Sequence, residues 1–222
     1  SPMNAGQDQT DITTTPFAVA DCKHIHHYQR KSEQPRLLSV QASRVNFFVP
    51  GSGIRQFHFP CCFDSNTSQS KVYAQCARSA VMSALNGISS CVLSYGQTGS
   101  GKTYTQFGPE GWTDTLDYEI RAGRPLTSSG CVIRASVDIV DAMQEAVKRG
   151  FLLTVTATYT QVYNNRVSDL LTGRPCSVAR ETGEITGAKL SHILTIADAI
   201  CLLKEGEQRK TFEATAMNGR SS

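Results

Sequence analysis

The side chains best equipped for chemistry stand in one run, Gly96-Gln97-Thr98-Gly99-Ser100-Gly101-Lys102-Thr103, which fits the G-x-x-x-x-G-K-T pattern of a phosphate-binding loop. Glycine has no Cβ, so the backbone can close around a phosphate chain and offer its N–H groups to the oxygens. Lys102 would bring a point charge to the β- and γ-phosphates, and Thr103 a hydroxyl to Mg²⁺. A helix starting directly after the loop would add the partial positive charge of its first amides. The chemistry implied is binding of a nucleoside triphosphate with Mg²⁺.

Four of the eight places are fixed by that pattern, so the flanking elements must support it. Ser90-Cys91-Val92-Leu93-Ser94-Tyr95 is an apolar run of buried-strand length, and Lys102 to Phe107 meets no breaker before Gly108-Pro109. A strand, loop and helix are therefore predicted in succession. Upstream, Val45–Val49 and Gln56–Phe59 read as a hairpin across Pro50-Gly51-Ser52-Gly53. Asn66 to Asn86 is predicted as one helix, with Asn66 as cap, Gln69 three residues on, an apolar face of Val72, Cys76, Ala80 and Ala84, and Gly87 as its end.

Downstream, Gly108 to Gly130 is polar and rich in glycine and proline, and is predicted as a long loop. Its Trp112, the sole tryptophan, either packs on the body or faces a pocket. Cys131–Arg149 reads as a helix, Phe151–Val162 as a strand, and Thr195 as the start of a helix with Asp198 in a capping box and Ile196, Ile200 and Leu203 buried. This alternation around a phosphate loop predicts an α/β fold, a sheet between helices.

With 222 residues, 40% hydrophobic and 18% charged, the chain is sized for one such domain. A net charge of +3 is too weak to argue for nucleic acid. No apolar stretch is long enough to cross a bilayer, and none at the start has the form of a signal peptide. The eight cysteines form no C-x-x-C pair and are expected to be reduced and mostly buried. His24, His26 and His27 lie among Lys23, Arg30 and Lys31, a solvated basic loop rather than a metal site. Residues 1–15 are expected to be frayed, and Ser1-Pro2 ahead of Met3 reads as a cloning scar.

Four stretches, in order, resemble the kinesin motor domain. They are F-x-x-x-F-D then S-Q-x-x-V-Y over Phe59–Tyr73; Ser94 to Thr105, whose free loop positions read Q-T-G-S as in that family; Val162 to Leu171, similar to I-Y-N-E-x-I-x-D-L-L; and Arg209 to Ser222, which resembles the approach to switch I. The resemblance implies a phosphate-loop NTPase-like fold, a central mixed β-sheet flanked by helices on both faces, incomplete at the C-terminus. It makes residues 16–222 a partial motor domain, with the phosphate loop at 96–103, a variable loop at 108–130 and the start of switch I at 218–222.

Carried over position by position, the resemblance implies nucleotide contacts from Gln97, Thr98, Gly99, Ser100, Gly101, Lys102, Thr103 and Asn218. Lys102, Ser221 and Ser222 would be catalytic, and Thr103 and Ser222 would face Mg²⁺. Tyr104 either lies near the base or simply packs on its helix. Pro16 would flank the base, but Thr13-Thr14-Thr15 stand where the family's R-x-R-P carries arginines, which removes a planar cation from the base site.

The implied activity is a microtubule-binding ATPase motor of the cytoplasm and cytoskeleton, with ATP/ADP and Mg²⁺ as cofactors. The alternative is a non-motile relative that holds nucleotide or microtubule with impaired turnover. Arg166, Arg174 and Arg180 either contribute to the track-binding surface or are ordinary surface charge. The sequence holds neither the rest of switch I nor D-x-x-G-x-E, so the 222 residues alone are expected to hydrolyse little, and oligomeric state is expected to be set elsewhere.

Overall fold

The computed structural model describes residues 18–19, 36–97, 99–122 and 127–218. Residues 1–15, Pro16, the histidines at 24–27, Cys22, Thr98, Ser221 and Ser222 lie outside the described residues, and so do the expectations attached to them. The described chain forms two compact units, one reaching Thr67 and including Gly96–Gly101, the other comprising Ser68–Tyr95 and the residues from Lys102 onward.

In the first unit, β1 (Ala18–Val19), β2 (Arg36–Gln41), β3 (Arg44–Val49), β4 (Gly53–His58) and β5 (Cys62–Phe63) follow one another. Strands β2, β3 and β4 form an antiparallel meander, and β1 pairs with β5 in parallel. The predicted hairpin is β3–β4, closed by Ser52 N–H donating to the Val49 carbonyl at 3.0 Å. One face buries Val45 and sets Phe47 edge-on to Phe57 with ring centres 6.0 Å apart. The other carries polar cross-strand bonds, Asn46 Nδ2 to Ser39 Oγ and Gln56 Nε2 to Asn46 Oδ1. Strand β2 went unpredicted because the register shifts between Leu37 and Ser39, which breaks the alternation by which a strand is read.

The second unit begins with α1 (Gln69–Cys76) and α2 (Arg78–Leu85). The single helix expected from Asn66 is thus two, divided at Ala77. Its cap is Ser68, whose Oγ accepts the Lys71 N–H, because Asn66 is held in a turn by the Asp64 carboxylate. After α3 (Lys102–Gln106), the stretch expected to be a long loop contains α4 (Trp112–Ala122). Glycines and prolines at its ends masked a segment with Asp114 in the first turn and Arg121 in the last, charges that suit the helix dipole.

Helix α5 (Cys131–Lys148) falls where predicted. Then come β6 (Thr156–Ala157), β7 (Thr160–Tyr163), β8 (Arg166–Asp169), β9 (Pro175–Val178), β10 (Ile185–Thr186) and β11 (Ser191–His192), and finally α6 (Ile196–Asn218). The capping box of α6 is reciprocal: Asp198 accepts the Thr195 N–H at 2.8 Å, and Asp198 N–H donates to Thr195 Oγ1. Helices α4, α5 and α6 close a core around Trp112, Ile133, Val140, Ile200 and Leu203.

The chain is an α/β fold, but its described strands lie in four short sheets of two to four strands. The strand expected at Ser90–Tyr95 does not form, and Leu93 and Tyr95 are 82% and 97% exposed. An extended segment becomes a strand only with a neighbour to take its N–H and C=O groups, and none of the described strands pairs with this run. The strand expected at Phe151–Val162 survives only as β6 and β7, with Phe151 and Leu152 exposed. The family-like Val162–Leu171 stretch is a hairpin rather than one strand, since Asn164 and Asn165 both take positive φ between β7 and β8. Of the described cysteines only Cys131 is buried, and Cys91 and Cys201 are exposed, so the thiols are not mostly buried, contrary to expectation.

Asp169, fully buried at the end of β8, organises the turn that follows. Its carboxylate accepts the Leu171 and Lys189 backbone N–H groups and the Thr172 hydroxyl. Burial pushes its pKa up, but these hydrogen bonds outweigh burial and hold it below the ordinary aspartate range. A depressed folded-state pKa gives stability that is complete above the unfolded value of about 4 and lost as pH falls through the folded one. Asp169→Asn should therefore lower the unfolding free energy at pH 7 by about 1–3 kcal/mol and flatten its decline in acid, as read by urea titration at several pH values.

Candidate functional site

The run from Gly96 to Gly101 is a tight, glycine-shaped loop. Gly99 and Gly101 have φ of 78° and 88°, a region costly for other residues. Ser100 N–H donates to the Gln97 carbonyl at 3.2 Å, and a Cβ on Gly96 would collide with Ser100 Oγ. Gln97 and Gly99 are exposed, while Ser100 and Gly101 are half-buried. The loop is a cradle that side chains would fill, and in that respect the residues fit a phosphate group.

The chain then enters α3, which begins with Lys102 and Thr103. Lys102 is half-buried, and Thr103 and the Tyr104 ring are exposed. A cation and a hydroxyl at successive positions suit a polyphosphate and a hard oxygen-seeking metal ion. The helix is only five residues long, so the summed dipole expected from its amides is small and the ligand-directed charge comes chiefly from Lys102.

Three contacts within the second unit position α3. Gln106 Nε2 donates to Ser94 Oγ at 2.9 Å, tying the residues on either side of the loop together. Gln69, buried at the start of α1, donates through Nε2 to the Tyr104 carbonyl at 2.7 Å. Gly130, just ahead of α5, donates its N–H to the Phe107 carbonyl at 3.0 Å. A Cβ there would stand 2.5 Å from the Gln106 carbonyl carbon and the Phe107 nitrogen. Sequence reasoning missed Gln106 and Gly130 and took Gln69 only as a capping partner.

The open question over Trp112 is resolved: it is buried and stacks on Phe107 with ring centres 4.7 Å apart. Trp112 thereby fastens the start of α4 to the end of α3. Asn218 is the last residue of α6, in helix rather than in a turn. The described residues contain no cluster of three or more His, Cys, Asp or Glu able to hold a metal ion.

Residues 27–222 match the family model described as Kinesin motor domain. The chain belongs to the kinesin motor domain family. It is 32% identical over 220 residues to Carboxy-terminal kinesin 2 of Xenopus laevis, covering 95% of this chain and 32% of that protein. It is 31% identical over 216 residues to Centromere-associated protein E of Homo sapiens, covering 92% of this chain and 7% of the relative. The chain thus spans a third or less of the length of these kinesin relatives. A solved structure of a fast kinesin shares the fold, with a TM-score of 0.67 at 22% identity, over 83% of this chain and 50% of that one.

Gly130→Ala should show how far α3 depends on its neighbours in this kinesin domain. The obstacle is backbone, which cannot swing aside, so a cost of about 1–3 kcal/mol is expected, with altered Trp112 emission. Chemical denaturation followed by fluorescence measures both.

Proposed function

We propose that this kinesin-family chain binds Mg²⁺-ATP and ADP at residues 96–103, and that the protein to which it belongs is a microtubule-dependent ATPase motor of the cytoplasmic cytoskeleton. The observation that carries the reading is the closed glycine loop leading directly into Lys102 and Thr103. Family membership supports the motor and the microtubule as partner. No helix among the described residues is long and apolar enough to cross a membrane.

In this reading the backbone N–H groups of Gln97 to Gly101, Thr98 included, hold the phosphate chain. The Lys102 ammonium draws the β- and γ-phosphates into place and offsets the charge that develops as the γ-phosphoryl group departs. Thr103, with Ser222, would hold Mg²⁺, which when bound would neutralise phosphate charge. Ser221, Ser222 and Asn218 would respond to the γ-phosphate, while Pro16 and Tyr104 would flank the base. Transmission to the track would run through segments that order and release with the phosphate.

A second reading, a non-motile kinesin relative with impaired turnover, is favoured by Thr13-Thr14-Thr15 in place of the arginines beside the base. Gliding assays on the natural full-length protein separate the two: movement with ATP supports the motor, and binding without movement supports the second.

Lys102→Ala should weaken Mg²⁺-ATP binding about ten- to a hundredfold, as a charged hydrogen-bond donor to an anion is lost. Equilibrium titration with a fluorescent ATP analogue measures it, and unchanged affinity would strip Lys102 of its phosphate-binding role. The 222-residue chain alone should show little steady-state hydrolysis with or without microtubules, and robust stimulated turnover would refute that expectation.

A further inference from the structure

Phe107 leaves α3 by donating its N–H to the Thr103 carbonyl at 2.8 Å, so its ring and the residue assigned to Mg²⁺ share one helical turn. The ring stacks on Trp112 at an interplanar angle of 20°, and Lys210 Nζ stands 6.0 Å from its centre. Lys210 is held in turn by both carboxylate oxygens of Glu207, at 3.0 and 3.2 Å. The Glu207 side chain is only 15% exposed and also accepts a hydrogen bond from the Tyr159 hydroxyl. Burial, and then Glu207, raise the Tyr159 pKa, so the phenol keeps its proton and remains a donor. Tyr159 packs against α6 at Gly206, where a Cβ would overlap its ring.

Five side chains therefore run without a break from Tyr159, through Glu207 and Lys210 of α6, to Phe107 and Trp112. We propose that Lys210, oriented by Glu207, is a positioning residue for the triphosphate site. Its ammonium fixes the Phe107–Trp112 stack, and through Phe107 it fixes the turn of α3 that carries Lys102 and Thr103. The proposal rests on the triphosphate reading of residues 96–103 and adds a means of regulating that site. Helix α6 runs on to Asn218, four residues before Ser222, so a change in the seating of α6 is coupled to the seating of α3. A cation over an aromatic face suits this task, since the ring attracts an arginine guanidinium as well as a lysine ammonium.

The test uses the 222-residue chain, Mg²⁺-ATP as probe and the emission of Trp112, the sole tryptophan, as a readout that needs no nucleotide. Lys210→Met should weaken Mg²⁺-ATP binding about two- to fivefold and shift Trp112 emission, while Lys210→Arg keeps both near wild type. In a Phe107→Leu background, Lys210→Met should add no further loss. Circular dichroism checks folding, and Lys210→Gln replaces Lys210→Met if the latter unfolds. Three results would each overturn the proposal: full additivity of the two changes, a Lys210→Arg variant as impaired as Lys210→Met, or unaltered affinity and emission in Lys210→Met. If the wild-type chain binds no triphosphate, the reading of residues 96–103 falls and emission alone decides the clamp. An Arg-rescued shift in Lys210→Met then upholds it, and an unshifted spectrum removes it.

Discussion

A helix of five residues cannot hold itself in water, because ordering its first turn costs more than its few hydrogen bonds return. Helix α3 is that short and buries none of its residues, yet it carries Lys102 and Thr103. Its position must be imposed from outside, and the rest of the site depends on this. Gln69, Gln106 and Gly130 each supply one hydrogen bond to α3 or its immediate end, from α1, from the helix itself toward Ser94, and from the start of α5. Contacts from separate elements constrain a short helix against rotation as well as sliding.

Gln69 shows that this positioning works against local stability. It is only 5% exposed, and its Oε1 has no hydrogen-bond partner among the described residues. A buried carbonyl left unsatisfied costs about 1–3 kcal/mol, more than the roughly 1 kcal/mol net of the bond its Nε2 makes. An apolar residue of similar volume would serve α1 better. The amide is explained by the Tyr104 carbonyl it holds, which accepts the Gly108 N–H at 2.9 Å and takes the Gln69 Nε2 as its second donor.

Residues whose meaning is local were legible in the sequence. The loop was read from spacing alone, and the Thr195–Asp198 capping box and the Gly51–Gly53 turn were read from side chains that bond their own neighbours. The contacts that position α3 were not legible, because Gln69 and Tyr104 are 35 residues apart and nothing in either neighbourhood names the other. Strands failed for a related reason. Apolar runs such as Val92-Leu93 and Phe151-Leu152 have strand composition, but a strand is a relation between two segments, and composition reports only one of them. Helix α4 was hidden differently, since its flanking glycines and prolines outweighed a short amphipathic segment.

Gly206 shows how a local rule can be overridden by a distant one. Glycine in a helix interior costs about 1 kcal/mol relative to alanine, so position 206 of α6 should favour alanine on propensity alone. The Tyr159 ring, however, occupies the space a Cβ would need, and relieving that overlap would require moving a side chain anchored by its hydroxyl to Glu207. The penalty for overpacking is about 1–3 kcal/mol, so the packing term wins. A flush contact there also sets the distance from Tyr159 to Glu207 one residue on, and thus the direction from which Glu207 holds Lys210. The glycine is local in the sequence, but its reason lies at Tyr159, in the short connection between β6 and β7.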